Sequence, residues 1–431
     1  MTSGKSIVGL LSAATCTLLG AANPAEAKDD WNIDSGILFY NETDRVTAIE
    51  PAISAKRDLG DDEIVSLKLV FDSLSGSSPN GAVPSTRPQT FTTPSGGGGG
   101  EDEGEGESED EGGGGSYTVA PNETPLDPTF EDERLSFNLN WDKPVDRVNR
   151  RSLGFSVSSE TDFLSASGNL GWQHDLNQKN TTLSAAVNIE LDQIDPIGGT
   201  PVEFSSMVDE RRTSGGENRQ VVDLLFGVTQ VIDRSSLFQV NLSLSEANGY
   251  MTDPYKFVSV VDDSGEPIDQ LYESRPDYRT RQSIYLAYKK MFSNREILTA
   301  SYRYMTDDWG IDSNTIDLTY RFRLDEGYFW QPHLRWYEQS AADFHRYFLR
   351  DGEPLPVFAS ADYRLGEMQT NTVGIKFGRD INERHRWSVR LEYYLQTGNS
   401  SPPEAFGQLT QQDLFPDVEA AIVQFSYSFR F

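Results

Sequence analysis

Apolar and polar residues alternate one by one along much of this chain, and this period of two limits its fold more than any other feature. One face of the stretch VEAAIVQFSYSFRF carries Ala421, Val423, Phe425, Tyr427, Phe429 and Phe431. The other face is mostly polar. In a water-soluble protein the aromatic face would lie in a core, which would rarely include the last residue of the chain. The pattern indicates a strand whose aromatic face meets lipid.

The same alternation recurs in segments long enough to cross a bilayer when tilted. In RLSFNLNW, for example, Leu135, Phe137, Leu139 and Trp141 share one face. In lipid every backbone group must be paired, and strands achieve this only in a closed barrel. We therefore predict an all-β fold, a transmembrane antiparallel β-barrel of about 16 strands. A large sandwich or β-helix is the alternative, because half-buried soluble sheets also alternate.

The connections between the segments give a topology test. The predicted strands lie near 31–41, 46–57, 62–74, 132–142, 149–159, 163–175, 180–192, 218–232, 236–248, 279–292, 296–306, 312–324, 328–340, 370–379, 385–397 and 418–431. Bacterial barrels have short periplasmic turns and long external loops, so odd-numbered connections should be the long ones. The longest are connections 3, 7, 9, 13 and 15, at 75–131, 193–217, 249–278, 341–369 and 398–417. The segment FASADYRL, 358–365, is assigned to a loop, which keeps the strand count even.

Composition and charge exclude several classes of protein. After the N-terminal region no run of about 18 apolar residues remains, which excludes a helical membrane protein. The formal charge of −30 argues against a nucleic-acid partner, because binding to phosphates needs clustered Lys and Arg. The hydrophobic fraction of 37% is low for a large packed core, although aromatic residues reach 11%.

The first 27 residues have the features of a secretory signal: Lys5, an apolar stretch, and a small-residue cleavage site that ends at Ala27. We expect cleavage there, and we expect residues 28–431 to form a barrel in the outer membrane of a Gram-negative bacterium. Cys16, the one cysteine, lies within the signal. The mature chain is therefore predicted to have no disulfide and no thiol chemistry.

The first long loop, 75–131, contains the tract GGGGGEDEGEGESEDEGGGG at 96–115. Glycines and like charges cannot form a packed core, so we expect a disordered, extracellular spacer. Weak calcium binding by its carboxylates is the alternative, although calcium sites need ligands that are held in fixed geometry.

No catalytic or metal-binding motif is present. The four histidines do not pair at metal-ligand spacing, and neither HExxH nor Gly-x-Ser-x-Gly occurs. Outer-membrane hydrolases exist, and the nearest candidate here is His345 with Ser340 and Asp343 close in sequence. Closeness in sequence does not establish an arrangement for proton transfer. We predict no enzymatic activity, no metal site and no intrinsic cofactor.

Charged residues on the polar faces are candidates for the barrel lumen. The predicted inward set is Asp72, Arg303, Asp317, Arg321, His333, Arg335, Arg390, Glu392 and Arg430. Opposite charges on neighbouring strands would brace one another inside the barrel. The functional alternative is a pore whose charge pattern selects solutes.

Six stretches together resemble a known protein family. They are DSLSGSSPNGA (72–82), GYMTDPYK (249–256), ESRPDYRTRQS (273–283), YRYMTDDWGI (302–311), PHLRWYEQSAADF (332–344) and ASADYRL (359–365). As a set they resemble a proteobacterial family of outer-membrane barrels of unknown function. Genes of that family lie near those for a flavin transferase, a thioredoxin-like protein and a small lipoprotein.

The resemblance implies a role as scaffold or conduit for a partner in extracytoplasmic redox chemistry, namely a small lipoprotein that can be flavinylated. Because the mature chain lacks cysteine, any flavin would arrive with that partner. Two other functions stay open: a diffusion channel or transporter for small solutes, and an outer-membrane hydrolase. Outer-membrane lipid and the barrel-assembly machinery are the other expected partners.

On the predicted topology the matching stretches gather at the external mouth. The candidate lumen or vestibule residues are Asp72, Asp253, Lys256, Arg303, Asp307, Asp308, His333, Arg335, Gln339, Asp343 and Asp362. They would form a binding vestibule or would simply hold loops together. At the other end Tyr427, Phe429 and Phe431 resemble the terminal signal that the assembly machinery recognises, and they would also join the periplasmic aromatic girdle.

Overall fold

The computed structural model describes residues 31–93 and 115–431. The predicted signal sequence, 1–27, lies outside the described residues. The same holds for residues 96–114 of the Gly/Glu tract, so the structure does not test the expected spacer.

Strands make up most of the described chain. In order they are β1 (Trp31–Glu42), β2 (Val46–Gly60), β3 (Glu63–Pro79), β4 (Gln89–Thr93), β5 (Gly115–Val119), β6 (Leu126–Pro144), β7 (Asn149–Ser159), β8 (Phe163–Leu176), β9 (Thr181–Ile194), β10 (Thr200–Pro201), β11 (Arg212–Thr213), β12 (Glu217–Asp233), β13 (Ser236–Gly249), β14 (Phe257–Val261), β15 (Pro267–Tyr272), β16 (Tyr278–Met291), β17 (Ile297–Asp307), β18 (Asp312–Arg323), β19 (Tyr328–Gln339), β20 (Leu349–Arg350), β21 (Met368–Asp380), β22 (His385–Gly398) and β23 (Val418–Arg430).

Helical structure in the described residues is limited to short 3₁₀ segments. These are Asn177–Lys179, Met207–Asp209, Asp325–Gly327, Tyr363–Leu365 and Gly407–Gln411. None of the helices in the described ranges has the length and apolar character needed to span a membrane.

Sixteen of the strands form one closed antiparallel barrel, in the order β1-β2-β3-β6-β7-β8-β9-β12-β13-β16-β17-β18-β19-β21-β22-β23. The first and last strands close it, with pairing from Asn32↔Arg430 to Glu42↔Ala420. The Trp31 N–H donates to the Phe431 carbonyl at 2.7 Å, which extends this seam to the end of the chain. The predicted fold class is confirmed.

The two ends of the barrel differ in the length of their connections. The even-numbered connections are all short, at 61–62, 145–148, 177–180, 234–235, 292–296, 324–327 and 381–384. The five long connections lie at the opposite end, at 80–125, 195–216, 250–277, 340–367 and 399–417. The seven even-numbered turns and both barrel termini thus share one end, which is the periplasmic end. The segment 358–365 lies in the fourth long connection and pairs with no barrel strand, as the even count requires.

The predicted bounds of the first long connection are wrong at both ends. Strands β3 and β6 stay paired as far as Pro79↔Leu126, so their connection is 80–125 and not 75–131. The last paired residues of β3 are Ser, Gly and Pro, which do not alternate in hydrophobicity. Above the lipid a strand needs backbone pairing but no apolar face, so its sequence gives no strand signal there.

Large apolar side chains are exposed on the outer face of the barrel. They include Leu69, Phe137, Phe155, Leu170, Ile189, Phe226, Leu242, Ile316, Leu334, Val373, Leu391 and Phe425. Because side chains alternate across a strand, the polar residues between them face the lumen. An exposed apolar band that surrounds a closed barrel is the surface that lipid covers.

A charged substitution on this band is predicted to destabilise the barrel. Leu170 lies near the middle of β8 and is 51% exposed on the outer face. We expect Leu170→Arg to lower the free energy of unfolding by about 2–4 kcal/mol, because arginine at the bilayer midplane is poorly solvated. Urea unfolding in lipid vesicles measures the change. The matched control is Asn169→Arg, one residue away and facing the lumen; equal losses in the two variants would contradict a lipid-facing band.

Candidate functional site in the extracellular cap and lumen

The five long connections pack together at the extracellular end, and we call this assembly the cap: residues 80–93, 115–125, 195–216, 250–277, 340–367 and 399–417. Its largest apolar clusters each join several connections. One contains Ala82, Phe91, Val119, Met207, Phe257 and Tyr272. A second contains Val83, Val261, Phe348, Leu409 and Leu414. These contacts make the cap a folded unit with its own hydrophobic core.

A network of buried charges lies inside the cap. Arg275 contacts two carboxylates, with its Nε 2.5 Å from Glu273 and its Nη2 2.8 Å from Asp362. Arg364 likewise contacts two carboxylates: its Nε donates to Asp362 at 2.8 Å, and its Nη2 donates to Asp253 at 2.8 Å. We call these five residues the ionic network. It ties together the 250–277 and 340–367 connections.

The rest of the network is satisfied by neighbouring polar groups. Glu273, which is fully buried, accepts from the Asp253 N–H at 2.7 Å and from the Ser360 hydroxyl. Lys256 donates to the carbonyl of Pro79 at the end of β3. Gln339, at the end of β19, donates to the Arg364 carbonyl at 3.0 Å. The network is thereby anchored to the barrel wall.

Burial and charge shift the pKa values in the network in different directions. Burial alone would raise the pKa of Asp362, but Arg364 and Arg275 hold that pKa well below its usual range. Burial raises the pKa of Glu273 in spite of the neighbouring Arg275. Burial also lowers the pKa of Lys256, and the carboxylates of Asp362 and Asp253 oppose that effect. Asp362 is therefore firmly ionised.

The structure brings together only part of the predicted vestibule. Asp253, Lys256, Gln339 and Asp362 meet at the network, while its remaining members, Glu273, Arg275 and Arg364, were missed. A signal for these three was available, because all lie within the stretches ESRPDYRTRQS and ASADYRL that resemble the family. Pairing across 87 residues of sequence, between Arg275 and Asp362, could not be read from spacing.

Asp307, Asp308 and Asp343 lie elsewhere on the extracellular side. Asp307 accepts from Arg279 Nε at 2.8 Å and from the Ile311 N–H at 2.8 Å, and so it shapes the 308–311 turn. Asp308 is exposed and accepts from the Thr280 N–H at 2.9 Å. Asp343 is exposed as well. The contacts of Asp307 and Asp308 are structural and lie at the rim of the barrel.

Two more of the predicted vestibule residues, His333 and Asp72, face the lumen and have charged partners, in two separate places. The imidazole of His333 lies between two carboxylates, with Nε2 2.9 Å from Asp317 and Nδ1 2.7 Å from Glu392. Asp72 is buried on the inner face of β3 and is paired with Arg134 of β6.

Arg303 and Arg335 also point inward, but within the described residues their side chains form no ion pair or hydrogen bond. The Arg303 guanidinium stands 5.6 Å from the centroid of the Tyr285 ring. Among the described residues, the lumen therefore contains charged side chains with ion-pair partners and charged side chains without them.

The aromatic residues of β23 line up near the periplasmic end. The rings of Tyr427 and Phe429 are 6.1 Å apart, and those of Phe429 and Phe431 are stacked at 5.7 Å. Phe431 is 61% exposed. A row of aromatic rings at this level fits a membrane-interface girdle; recognition of the row by the assembly machinery stays a prediction.

The residues of the hydrolase alternative are not arranged for proton transfer. The Ser340 hydroxyl donates to the Gly310 carbonyl at 3.0 Å and accepts from the Asp312 N–H at 2.8 Å. His345 is buried, and its Nε2 has no hydrogen-bond partner among the described residues. Within those residues, no group of three or more His, Cys, Asp or Glu side chains has the arrangement of a metal site.

Removing Arg275 is predicted to loosen the cap. Arg275→Met removes a positive charge that faces the buried carboxylates of Glu273 and Asp362. Breaking a buried ion pair by removing one partner costs about 3–5 kcal/mol. Hydrogen exchange measured by mass spectrometry should show faster exchange in the cap, while the barrel strands stay protected. Arg87→Met, at an exposed cap position, is the control; if both variants exchange alike, the ionic network does not stabilise the cap.

The cap is also predicted to weaken on acidification through His345. Burial lowers the pKa of His345 to about 4. Its usual value is about 6.5, so the folded cap binds this proton less well than the unfolded chain. The contribution is complete above pH 6.5 and is lost as pH falls toward 4, by up to about 3 kcal/mol.

Hydrogen exchange of the cap at pH 7 and at pH 4.5, corrected for intrinsic exchange rates, tests this expectation. His345→Gln, which does not titrate, should reduce the difference between the two values. An unchanged pH dependence in that variant would assign the effect to other groups.

Comparison with solved structures shows similar β-barrels at very low sequence identity. A bacterial polysaccharide outer-membrane secretin is 8% identical with a TM-score of 0.42, over 95% of this chain and 100% of the other. The CymD monoaromatic hydrocarbon channel is 10% identical with a TM-score of 0.41, over 98% and 92%. The outer-membrane protein OpdK from Pseudomonas aeruginosa is 9% identical with a TM-score of 0.39, over 94% and 99%.

No curated protein is significantly similar in sequence to this chain. A family model, in contrast, matches residues 8–429, which is nearly the whole sequence, and its description is "Protein of unknown function (DUF3570)". The resemblance that the six stretches suggested, to a barrel family of unknown function, is confirmed by this match together with the closed barrel. The chain belongs to the DUF3570 family of proteins of unknown function.

Proposed function

We propose that the protein is a β-barrel of the Gram-negative outer membrane that serves as scaffold or conduit for a partner protein. The observation that carries this proposal is the folded cap. Its connections share apolar clusters and a buried ionic network at the extracellular end. A barrel for free diffusion needs an open mouth. A cap with its own hydrophobic core instead favours a barrel that conducts little until the cap changes its conformation.

The partner that we propose is a small lipoprotein, which the barrel would contact on its periplasmic side. This part of the proposal rests on the resemblance to a barrel family whose genes lie near those of a lipoprotein and a flavin transferase. Residues 28–431 contain no cysteine, so thiolate-bound redox groups cannot be built from this part of the chain. A flavin, where present, would be covalently attached to the lipoprotein.

A diffusion channel or transporter for small solutes is the second candidate. Inward-facing charges such as Arg303 and Arg335, which have no ion-pair partner among the described residues, favour it. Charged rings and ladders inside pores select solutes by sign. The hydrolase candidate has less support, because Ser340 and His345 are not hydrogen-bonded to each other in the described part of the chain.

Affinity purification of the native barrel tests the partner proposal. A tag inserted in the exposed turn at 351–354 leaves the barrel strands and both termini unaltered. We expect a small lipoprotein to co-purify in stoichiometric amount, detected by mass spectrometry, and to show covalent flavin by in-gel fluorescence. A barrel without the lipoprotein, obtained under conditions that retain known barrel–lipoprotein complexes, would contradict the proposal.

Planar-bilayer conductance separates the two candidates. The wild-type barrel should show low conductance, and Arg275→Met should raise it because the cap loosens. Arg87→Met again serves as the control. High, steady conductance by the wild type would favour the channel and would contradict a cap that restricts flow.

A further inference from the structure

The inner surface of the barrel is unevenly charged. Strands β18, β19, β21 and β22 are consecutive in the barrel. Their inward side chains include the bases Arg321, Arg335, Lys376, Arg386 and Arg390 and the acids Asp317, Asp380 and Glu392. Five bases against three acids leave at least two positive charges in excess on this part of the wall, in a protein whose overall formal charge is −30.

The excess is concentrated at one level of the lumen. Lys376 of β21 and Arg390 of β22 are direct partners in the register, and Gln331 of β19 is opposite Lys376 on the other side. Like charges directly opposite each other destabilise a sheet. In the described residues the Lys376 side chain makes no ion pair or hydrogen bond. The nearest carboxylate to Arg390 is Glu392, at 3.6 Å, and it is shared with His333 at 2.7 Å.

Arg321 adds a third positive group at the same level. Its guanidinium lies over the ring of Phe329 at 3.6 Å, which fixes its orientation. Its one carboxylate contact is with Asp380, at 3.5 Å, and Asp380 is also paired with Arg386. The Nε donors of Arg321 and Arg390 are buried and have no hydrogen-bond partner among the described residues.

Bracing between strands does not explain this cluster. Elsewhere on the inner wall an arginine faces a carboxylate at close range, as in Arg219 with Asp192 at 2.7 Å and Arg279 with Asp307. Those pairs neutralise each other. Arg321 and Arg390 instead have only distant carboxylates, at 3.5 and 3.6 Å, which they share with other bases, and Lys376 has none among the described residues. Burying donors that are so incompletely paired costs free energy that an anionic ligand would recover.

We propose that Arg321, Lys376 and Arg390 form a binding site for a small phosphate-type oxyanion in the periplasmic half of the lumen. Planar guanidinium groups bind phosphate oxygens in a bidentate manner, and a lysine supplies a point charge. An excess of at least two positive charges on this part of the wall can neutralise a dianion. Because the site faces the lumen, the headgroups of the surrounding bilayer do not reach it. The site does not depend on the proposed partner protein.

Binding of inorganic phosphate to the purified full-length barrel tests the site. Isothermal titration calorimetry at constant ionic strength, adjusted with sodium chloride, should show saturable binding to the wild type. The double variant K376Q/R390Q should bind at least tenfold more weakly. Lys68→Gln is the matched control: Lys68 also faces the lumen, on a strand five positions from that of Lys376 around the barrel, and this variant should bind as the wild type does.

Absence of saturable binding by the wild type would overturn the proposal, and so would an equal loss in Lys68→Gln, which would indicate a general charge effect. Heat-dependent mobility on gels establishes that each variant is folded. If the double variant does not fold, phosphate binding by the wild type alone still tests the proposal. Sulfate should displace phosphate where chloride at the same ionic strength does not, and failure of sulfate to compete would refute an oxyanion site.

Discussion

Closure of the backbone hydrogen bonds between β1 and β23 is the constraint on which the rest of the structure depends. In hydrocarbon an unpaired sheet edge has no water to satisfy it, so the first and last strands must meet. Their pairing runs through eleven residue pairs, from Asn32↔Arg430 to Glu42↔Ala420. Once the ring is closed, only the outer face must be apolar. A hydrophobic fraction of 37% is therefore sufficient for a membrane barrel.

The cap buries its apolar residues instead of exposing them, because it lies in water and not in lipid. It buries apolar residues such as Phe91 and Leu409 in a core, and it also buries charge. Buried ion pairs are weak sources of stability, since desolvation offsets their attraction, but they penalise every arrangement in which one partner is missing. Arg275 and Arg364 each bind two carboxylates. We infer that they fix how the 250–277 and 340–367 connections meet.

The barrel could be predicted from the sequence because its signal is local. Alternation at Leu135–Trp141 or Ala421–Phe431 places each residue inside or outside without knowledge of any partner strand. The cap has no such period: Arg364 meets Asp253 across 111 residues, and nothing near either residue indicates the pairing. Proximity in sequence was also a poor guide: Ser340 and His345 are five residues apart, yet Ser340 donates to Gly310 and His345 Nε2 has no hydrogen-bond partner among the described residues.

The extracellular and periplasmic ends of the molecule differ in how their charged side chains are paired, and this difference bears on function. At the extracellular end each carboxylate of the ionic network contacts an arginine. In the periplasmic half of the lumen the imbalance is positive, and Lys376 lies beside Arg390 without a carboxylate of its own. A passive scaffold gains nothing from like charges held together, since they only lower its stability. The positive charge of the lumen therefore supports our proposal that the barrel binds an anion in its periplasmic half, whether or not a partner protein is bound.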